Sequence, residues 1–541
     1  MNFSFVSGEL ARASGELLVI PLFEGESGDT PSAALAGVHT ALDARLLAAA
    51  TQEGFKGKAE QSFVMHTLGK LEAERVLLLG LGTRARYTPE VLRLTAGRAA
   101  KAAQRLKARS LVFAVPGGVE GPEALRAVVE GLELGVYRFD RYKSSAREEK
   151  NAPKLTAVKL HLAGEKTAAL EQALALAQRV AEATNWARDL VNEPPNVVNP
   201  VRLAQAAQEM GRASGLKVSV SGRKEIEKLR MGMFLAVAQG SANEPQLIHV
   251  VYTPKNAKQA KLPPVALVGK AITFDSGGLS LKPTDSMVDM KTDMAGSAAV
   301  LGAMKVIAAL KPPFPVHAFI GACENMPSGT SYRPSDVIVS RLGKTVEVTN
   351  TDAEGRLVLG DVITWANEQK PAVIIDLATL TGACVVALGN YIVGAFGDHD
   401  ATVNEVLESA RAAGEEMWRL PVTELQKDAL RSEIADMKNS GERWAGATNA
   451  ALFLKEFVGE TPWVHLDIAG PSISPKERGY NGKGPTGVGV RTLVEYVQRR
   501  STQAGTDTAS EAPVPAPAGT AAETPKAAKA PKASRGSRAK G

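Results

Sequence analysis

The chain has 541 residues, 44% of them apolar, with 64 basic and 58 acidic side chains and a formal net charge of +6. That length is enough for two or three domains with an ample core. No uninterrupted apolar run reaches the ~18 residues of a membrane-spanning helix, and no basic stretch precedes an apolar one at the N-terminus, so neither a membrane anchor nor a secretory leader is expected. Only two cysteines occur, Cys323 and Cys384, which excludes a disulfide framework or a zinc ribbon and suits a reducing cytosol.

In chain order, Leu17 to Phe23, Arg75 to Leu79 and Leu111 to Val115 are predicted to be short buried strands. They alternate with Ala-rich helical stretches such as Leu92 to Ala108. Residues 1–166 therefore form a smaller N-terminal α/β domain. Its Gly80-Leu81-Gly82 follows an apolar strand but lacks the third glycine of a dinucleotide loop. Thr167 to Val191 reads as a long amphipathic helix, ended by Asn192-Glu193-Pro194-Pro195-Asn196. Residues 167–196 are thus the interdomain connector. Residues 197–500 return to the α/β pattern. Leu247 to Tyr252, Pro264 to Gly269, His317 to Gly321 and Ala372 to Ile375 are expected to be strands of one buried sheet, with Ala295 to Leu310 and Gly355 to Glu368 as helices.

Residues 501–541 change character. They are rich in Ala, Pro, Thr and Lys, lack aromatics and are expected to be disordered. Six basic residues (Lys526, Lys529, Lys532, Arg535, Arg538, Lys540) against Asp507, Glu511 and Glu523 give six minus three, or +3 of the chain's +6. Such a tail suits weak binding to DNA or another acidic partner; a solubilising extension without a partner is the plainer reading.

The chemistry-bearing residues fall in two clusters. Asn350-Thr351-Asp352-Ala353-Glu354-Gly355-Arg356-Leu357 follows the strand-like Thr345 to Val348 and puts two carboxylates one residue apart. Taken alone it is compatible with a surface turn. The second cluster carries Lys270, Asp275, Lys282 and Asp293 among apolar residues and glycines, where unpaired charge is costly. Lys270 is placed at the C-terminal end of the Pro264 to Gly269 strand, and Gly277-Gly278 allows a sharp turn. Ligands collect outside the carboxyl ends of strands in open α/β sheets. Two acidic clusters meeting there make a metal-site geometry, because a divalent cation relieves the repulsion between carboxylates.

The octet at Asn350 resembles the signature of the leucyl aminopeptidase (cytosol aminopeptidase) family. The stretch from Gly269-Lys270 to Pro283 is similar to that family's other hallmark segment. Ser331 to Val337, Asp376 to Gly382, His465 to Gly470 and Gly135 to Lys143 extend the likeness to about Arg500. The resemblance implies a two-domain α/β fold with a mixed central sheet in the larger domain, and a metal-dependent aminopeptidase releasing leucine and other apolar N-terminal residues from peptides. It implies two divalent ions per subunit, Mn²⁺ or Zn²⁺, held by Lys270, Asp275, Asp293, Asp352 and Glu354, with Asp275 and Glu354 bridging. Lys282 and Arg356 become the catalytic residues that are not ligands, Arg356 holding a bicarbonate. Met290, Thr379 and Gly382 line the side-chain pocket. A cytoplasmic homohexamer and, in some members, DNA binding are also implied. Ala271 stands where glycine is frequent in the family and Thr292 where an aromatic is frequent.

Two cations can share a water and lower its pKa, and Lys282 is suited to meet the oxyanion of amide hydrolysis. Lys270 as a ligand needs a pKa well below ~10.4, which adjacent dications and burial would provide. The bland readings are a solvated loop lysine for Lys282 and an ion-pair partner of Glu354 for Arg356. Asp289 is a rival ligand, read instead as a helix-entry carboxylate; Asp376 and Asp467 are expected to bond nearby backbone. The seven histidines are scattered and form no His-Glu-x-x-His pair, which excludes a zincin. Another two-metal hydrolase, such as a phosphoesterase, would call for more basic groups around the metals. A DNA-binding or architectural role, alone or as a second role, is the alternative from a different class.

Overall fold

A computed structural model describes residues 1–27, 33–145 and 154–510. The N-terminal sheet has the order Asn2–Val6, Ala157–His161, Ser110–Ala114, Leu17–Phe23, Arg75–Gly82, Ser62–His66. Every neighbouring pair is parallel except the last. Because side chains alternate across a strand, Leu17 and Val19 pack on the helices Pro89–Arg105 and Pro122–Gly135, whereas Leu18 and Ile20 join Leu35, Val38 and Leu46 on the opposite face. The Gly80-Leu81-Gly82 turn is explained by packing. Gly80 and Gly82 donate their N–H groups to Gln61 O and Gly57 O, and a Cβ on Gly80 would lie 1.8 Å from Lys58 O.

The connector helix is Ala168–Asn192, capped by Thr167, whose Oγ1 accepts from Leu170 N at 3.3 Å. Leu170, Ala173 and Ala177 belong to the N-terminal core, while Val180, Ala183, Ala187 and Leu190 belong to the core of the larger domain. One helix therefore forms a wall of both domains.

The larger domain is built on an eight-stranded sheet ordered Met417–Arg419, Val393–Phe396, Trp463–Asp467, Val373–Ala378, Val265–Asp275, Val316–Asn325, Gln246–Tyr252, Lys217–Ser221. Its four central strands run parallel, Val393–Phe396 and Gln246–Tyr252 flank them antiparallel, and Met417–Arg419 pairs parallel with Val393–Phe396 at the edge. Ala295–Leu310 and Val490–Ser510 cover one face; Gly232–Ala238, Glu354–Asn367 and Gly446–Lys455 cover the other. Thr284–Leu310 is long and apolar enough to cross a membrane, but 78% of its apolar window is buried inside the protein. The backbone breaks it into Thr284–Met287, Met290–Thr292 and Ala295–Leu310, and it serves as core.

The Pro264 to Gly269 strand was expected to end at Lys270. It runs on to Asp275, so Lys270 lies inside it, paired in register with Gly321. Val316–Asn325 likewise outruns its expected end at Gly321. The last helix continues to Ser510; the tail expected to be disordered lies, from residue 511 on, outside the described residues.

A buried ionic network ties the domains together. Glu130, fully buried, accepts from Arg93 Nε at 2.8 Å and Arg126 Nε at 3.0 Å, and Arg126 Nη1 reaches Glu495 at 2.7 Å in the other domain. Burial pushes the Glu130 carboxyl up, but Arg93 and Arg126 outweigh it and hold it below its usual range. Glu130→Ala removes the carboxylate shared by buried Arg93 and half-buried Arg126 and is expected to cost about 3–5 kcal/mol. Thermal unfolding checks this as a lowered midpoint, with a smaller loss for Glu130→Gln.

Candidate active site

One strand, one short turn and one helix deliver most of the charged groups to a single crevice. Val265–Asp275 contributes Lys270 and Asp275, the Met290–Thr292 turn leads into Asp293, and Glu354–Asn367 starts with Glu354 and carries Arg356. Glu354 thus sits at a helix N-terminus, where the backbone dipoles favour negative charge. Oxygens of Asp275, Asp293 and Glu354 lie within 4.8 Å of one another, and all three residues are buried. No other group of three or more potential ligands among His, Cys, Asp and Glu converges among the described residues.

Two lysines interleave with the acids. Lys270 Nζ is 2.9 Å from Asp293 Oδ2 and 2.9 Å from Glu354 Oε1, and it donates to Thr379 O at 2.9 Å. Lys282 Nζ is 2.9 Å from Asp275 Oδ2 and also pairs with Asp352. Gly355 makes the first contact possible, since a Cβ there would lie 2.3 Å from Lys270 Cε. Gly277 and Gly278 take φ of +85° and +65°, which side chains rarely adopt. They bring the Asp275 turn against Thr351, whose Oγ1 donates to Gly277 O at 2.6 Å and accepts from Ser280 N at 2.7 Å. The two acidic clusters are stitched together by this exchange.

Electrostatics follow from crowding. Burial raises the Asp293 carboxyl well above its ordinary range and raises Asp275, with Glu354 adding to both; burial and then Asp275 raise Asp352. Burial by itself would lower Lys270, but Asp293, Glu354 and Asp275 outweigh it and push its amine up. The protein's own groups thus oppose the depression that a lysine ligand would need. Glu354 Oε2 and Arg356 Nε are buried without a hydrogen-bond partner. Burial lowers Arg356 to about 10, against the pull of Glu354 and Asp467, and its Nη1 donates to Asn439 O at 3.0 Å. A hard oxygen set with an orphaned carboxylate oxygen fits a divalent cation.

Six of the seven expected ligand and catalytic residues are linked here by ion pairs, Arg356 lies on the helix that Glu354 starts, and the expected pocket residue Thr379 donates its Oγ1 to Asp293 Oδ1 at 2.8 Å. Met290 opens the turn before Asp293, and Gly382 begins the helix Gly382–Leu388 with nothing within 4 Å of its Cβ position. Asp289 stays exposed at the entry to the Met290–Thr292 turn. Asp376 departs from expectation. It accepts from two side chains, Trp463 Nε1 at 2.7 Å and His465 Nδ1 at 2.6 Å, because the register sets it opposite His465. Asp467 does accept from backbone, at Leu380 N and Ala469 N. Both cysteines are buried packing residues.

Sequence reading missed two asparagines. Asn325, fully buried and paired in register with Asp275, donates Nδ2 to Asp275 Oδ1 and to Thr351 O, both at 2.9 Å. Asn439 accepts from Thr349 N at 2.8 Å and holds Arg356 through its carbonyl. A polar residue ending the buried strand after His317 was the one available signal for Asn325.

Comparison with known proteins agrees with this geometry. The profile "Cytosol aminopeptidase family, catalytic domain" matches residues 185–494, and "Cytosol aminopeptidase family, N-terminal domain" matches residues 19–146. The chain belongs to the cytosol aminopeptidase family. Two relatives described as "Probable cytosol aminopeptidase" are similar along almost their whole length. The protein from Cyanothece sp. is 43% identical over 90% of this chain and 97% of its own, and that from Geobacter sp. is 45% identical over 89% and 96%. Among solved structures, a mutant of tomato leucine aminopeptidase superposes with a TM-score of 0.84 at 35% identity, covering 92% of this chain and 96% of its own. The bottromycin maturation enzyme BotP in complex with Mn gives 0.79 at 33%, covering 90% and 100%. The chain is a metal-dependent aminopeptidase, a hydrolase of peptide bonds. None of these similarities supports a DNA-binding role. Asn325→Ala, which frees Asp275 and Thr351 from their shared donor, is expected to weaken metal affinity about 10–100-fold, measured as the metal concentration giving half-maximal activity.

Proposed function

We propose that Asp275, Asp293, Asp352 and Glu354, with the neutral amine of Lys270, hold two divalent ions, and that the enzyme removes leucine and other apolar residues from peptide N-termini. The observation that carries this reading is the convergence of Asp275, Asp293 and Glu354 within 4.8 Å, with Glu354 Oε2 left without a partner. Asp275 and Glu354 would be shared by the two ions, Lys270 and Asp293 would hold the tighter one, and Asp352, half-exposed, the more exchangeable one. Bound ions supply Lewis acidity and lower the pKa of a shared water; Mn²⁺ and Zn²⁺ both suit this donor set.

The chain's own residues do the rest. Lys282, anchored between Asp275 and Asp352, presents its ammonium where negative charge grows on the scissile carbonyl oxygen. Arg356 has a buried Nε–H free to receive a planar anion such as bicarbonate, which would supply the base that no His or Glu provides. Met290, Thr379 and Gly382 shape the pocket for the N-terminal side chain, with open space in front of Gly382. A cytoplasmic homohexamer belongs to the same reading, which draws here on the family.

Hydrolysis of a leucyl anilide is expected to vanish on stripping metal, return with Mn²⁺ or Zn²⁺, and stay absent in Glu354→Ala. Metal-independent turnover would defeat the proposal. Lys282→Met is expected to lose about 10²–10³ in kcat, determined from steady-state rates with saturating metal. Removing residues 511–541 should leave kcat/KM on the anilide unchanged.

A further inference from the structure

The strand Trp463–Asp467 ends in a carboxylate that the proposed chemistry does not use. Asp467 is fully buried, and both of its oxygens are hydrogen-bonded. Oδ1 accepts from Leu380 N at 3.2 Å and Ala469 N at 3.1 Å, and Oδ2 accepts from Thr381 Oγ1 at 2.6 Å. Thr381 Oγ1 also accepts from Cys384 N at 3.0 Å, capping the helix Gly382–Leu388. The segment gripped in this way is the exit of the neighbouring strand Val373–Ala378, and its first residue faces the metal-ligand candidates. Thr379 O accepts from Lys270 Nζ at 2.9 Å, and Thr379 Oγ1 donates to Asp293 Oδ1 at 2.8 Å. A continuous run of hydrogen bonds and backbone therefore joins Asp467 to Lys270 and Asp293 without Asp467 touching either.

We propose that Asp467 is a positioning residue: through Leu380 and Thr381 it fixes the Thr379–Gly382 turn, and the turn in turn orients Lys270 and Asp293 and sets the depth of the N-terminal side-chain pocket. The inference rests on the ligand roles proposed for Lys270 and Asp293. Its physical basis is that a two-point clamp on consecutive residues, one through backbone N–H and one through a side-chain hydroxyl, fixes both the place and the rotation of a short turn. Leu380 and Thr379 are only half-buried, so packing alone leaves the turn freedom to shift. A shift of the turn withdraws the Thr379 carbonyl from Lys270 and the hydroxyl from Asp293 together. Groups that orient ligands in this way are worth about 10–100-fold in affinity or activity.

The test is Thr381→Val beside Thr381→Ser in the full chain, assayed on leucyl and alanyl anilides over a titration of Mn²⁺. Valine keeps the volume and removes the hydroxyl; serine keeps the hydroxyl. Thr381→Val is expected to lower kcat/KM for the leucyl substrate about tenfold or more, to raise the Mn²⁺ concentration for half-maximal rate, and to change the leucyl-to-alanyl ratio. Thr381→Ser is expected to stay within about twofold of wild type on all three. A merely structural role would lower the thermal midpoint in Thr381→Val while leaving kcat/KM, Mn²⁺ dependence and substrate ratio untouched, and that result overturns the proposal. Should Thr381→Val not fold, the isosteric Asp467→Asn is measured in its place: the same three changes support the positioning role, and their absence overturns it. Wild-type protein inactive with every metal would instead overturn the two-ion reading itself, and the positioning role with it.

Discussion

Four carboxylates gathered in one crevice, three of them buried, repel one another and lose much of the solvation that would offset the repulsion. Asp275, Asp293, Glu354 and Asp352 are in this position, and most of the surrounding architecture answers to it. Two lysines reach in from the same chain segment, each spanning a pair of acids. Asn325 and Thr379 spend their donors on Asp275 and Asp293, and a helix N-terminus backs Glu354. Even so, Asp275, Asp293 and Asp352 are all pushed above their ordinary range. The protein alone does not neutralise the cluster, and divalent cations are the chemical answer to that deficit.

The fold serves this constraint by bringing strand ends together. Parallel pairing of Val373–Ala378, Val265–Asp275 and Val316–Asn325 aligns their carboxyl ends, so residues far apart in sequence share one edge of the sheet. Positions without a side chain then decide how closely charges approach: Gly355 leaves room for the Lys270 stem, and Gly277 and Gly278 fold the Asp275 turn onto Thr351. The N-terminal domain contributes none of these groups. It shares a helix wall and a buried ionic network with the catalytic domain, which holds the two as one body around the site.

Much of this is legible in the sequence, for reasons that differ by element. Leu17–Phe23 and Ala295–Leu310 can be read to their true ends because apolar character coincides with the element, interrupted in the helix only by Ser297 and Lys305. The metal-ligand candidates are legible because charge set among glycines and apolar residues is costly unless something binds it. Strand ends at the site are not. Lys270 interrupts the apolar run and looks like its end, whereas the strand continues to Asp275 and Lys270 turns inward to Asp293 and Glu354. Asn325, Asn439 and the partners of Asp376 are hidden for another reason. A single amide or carboxyl carries no periodic signal, and its role emerges only when register sets Asn325 opposite Asp275 and Asp376 opposite His465.

The central claim is that this carboxylate and lysine cluster holds two cations. Counting bound Mn²⁺ per chain by elemental analysis after equilibrium dialysis, in wild type and in Lys270→Met, tests it most directly. The account predicts two ions per wild-type chain, with the tighter one lost in the variant. One ion or none in wild type, or an unchanged count in Lys270→Met, would contradict it.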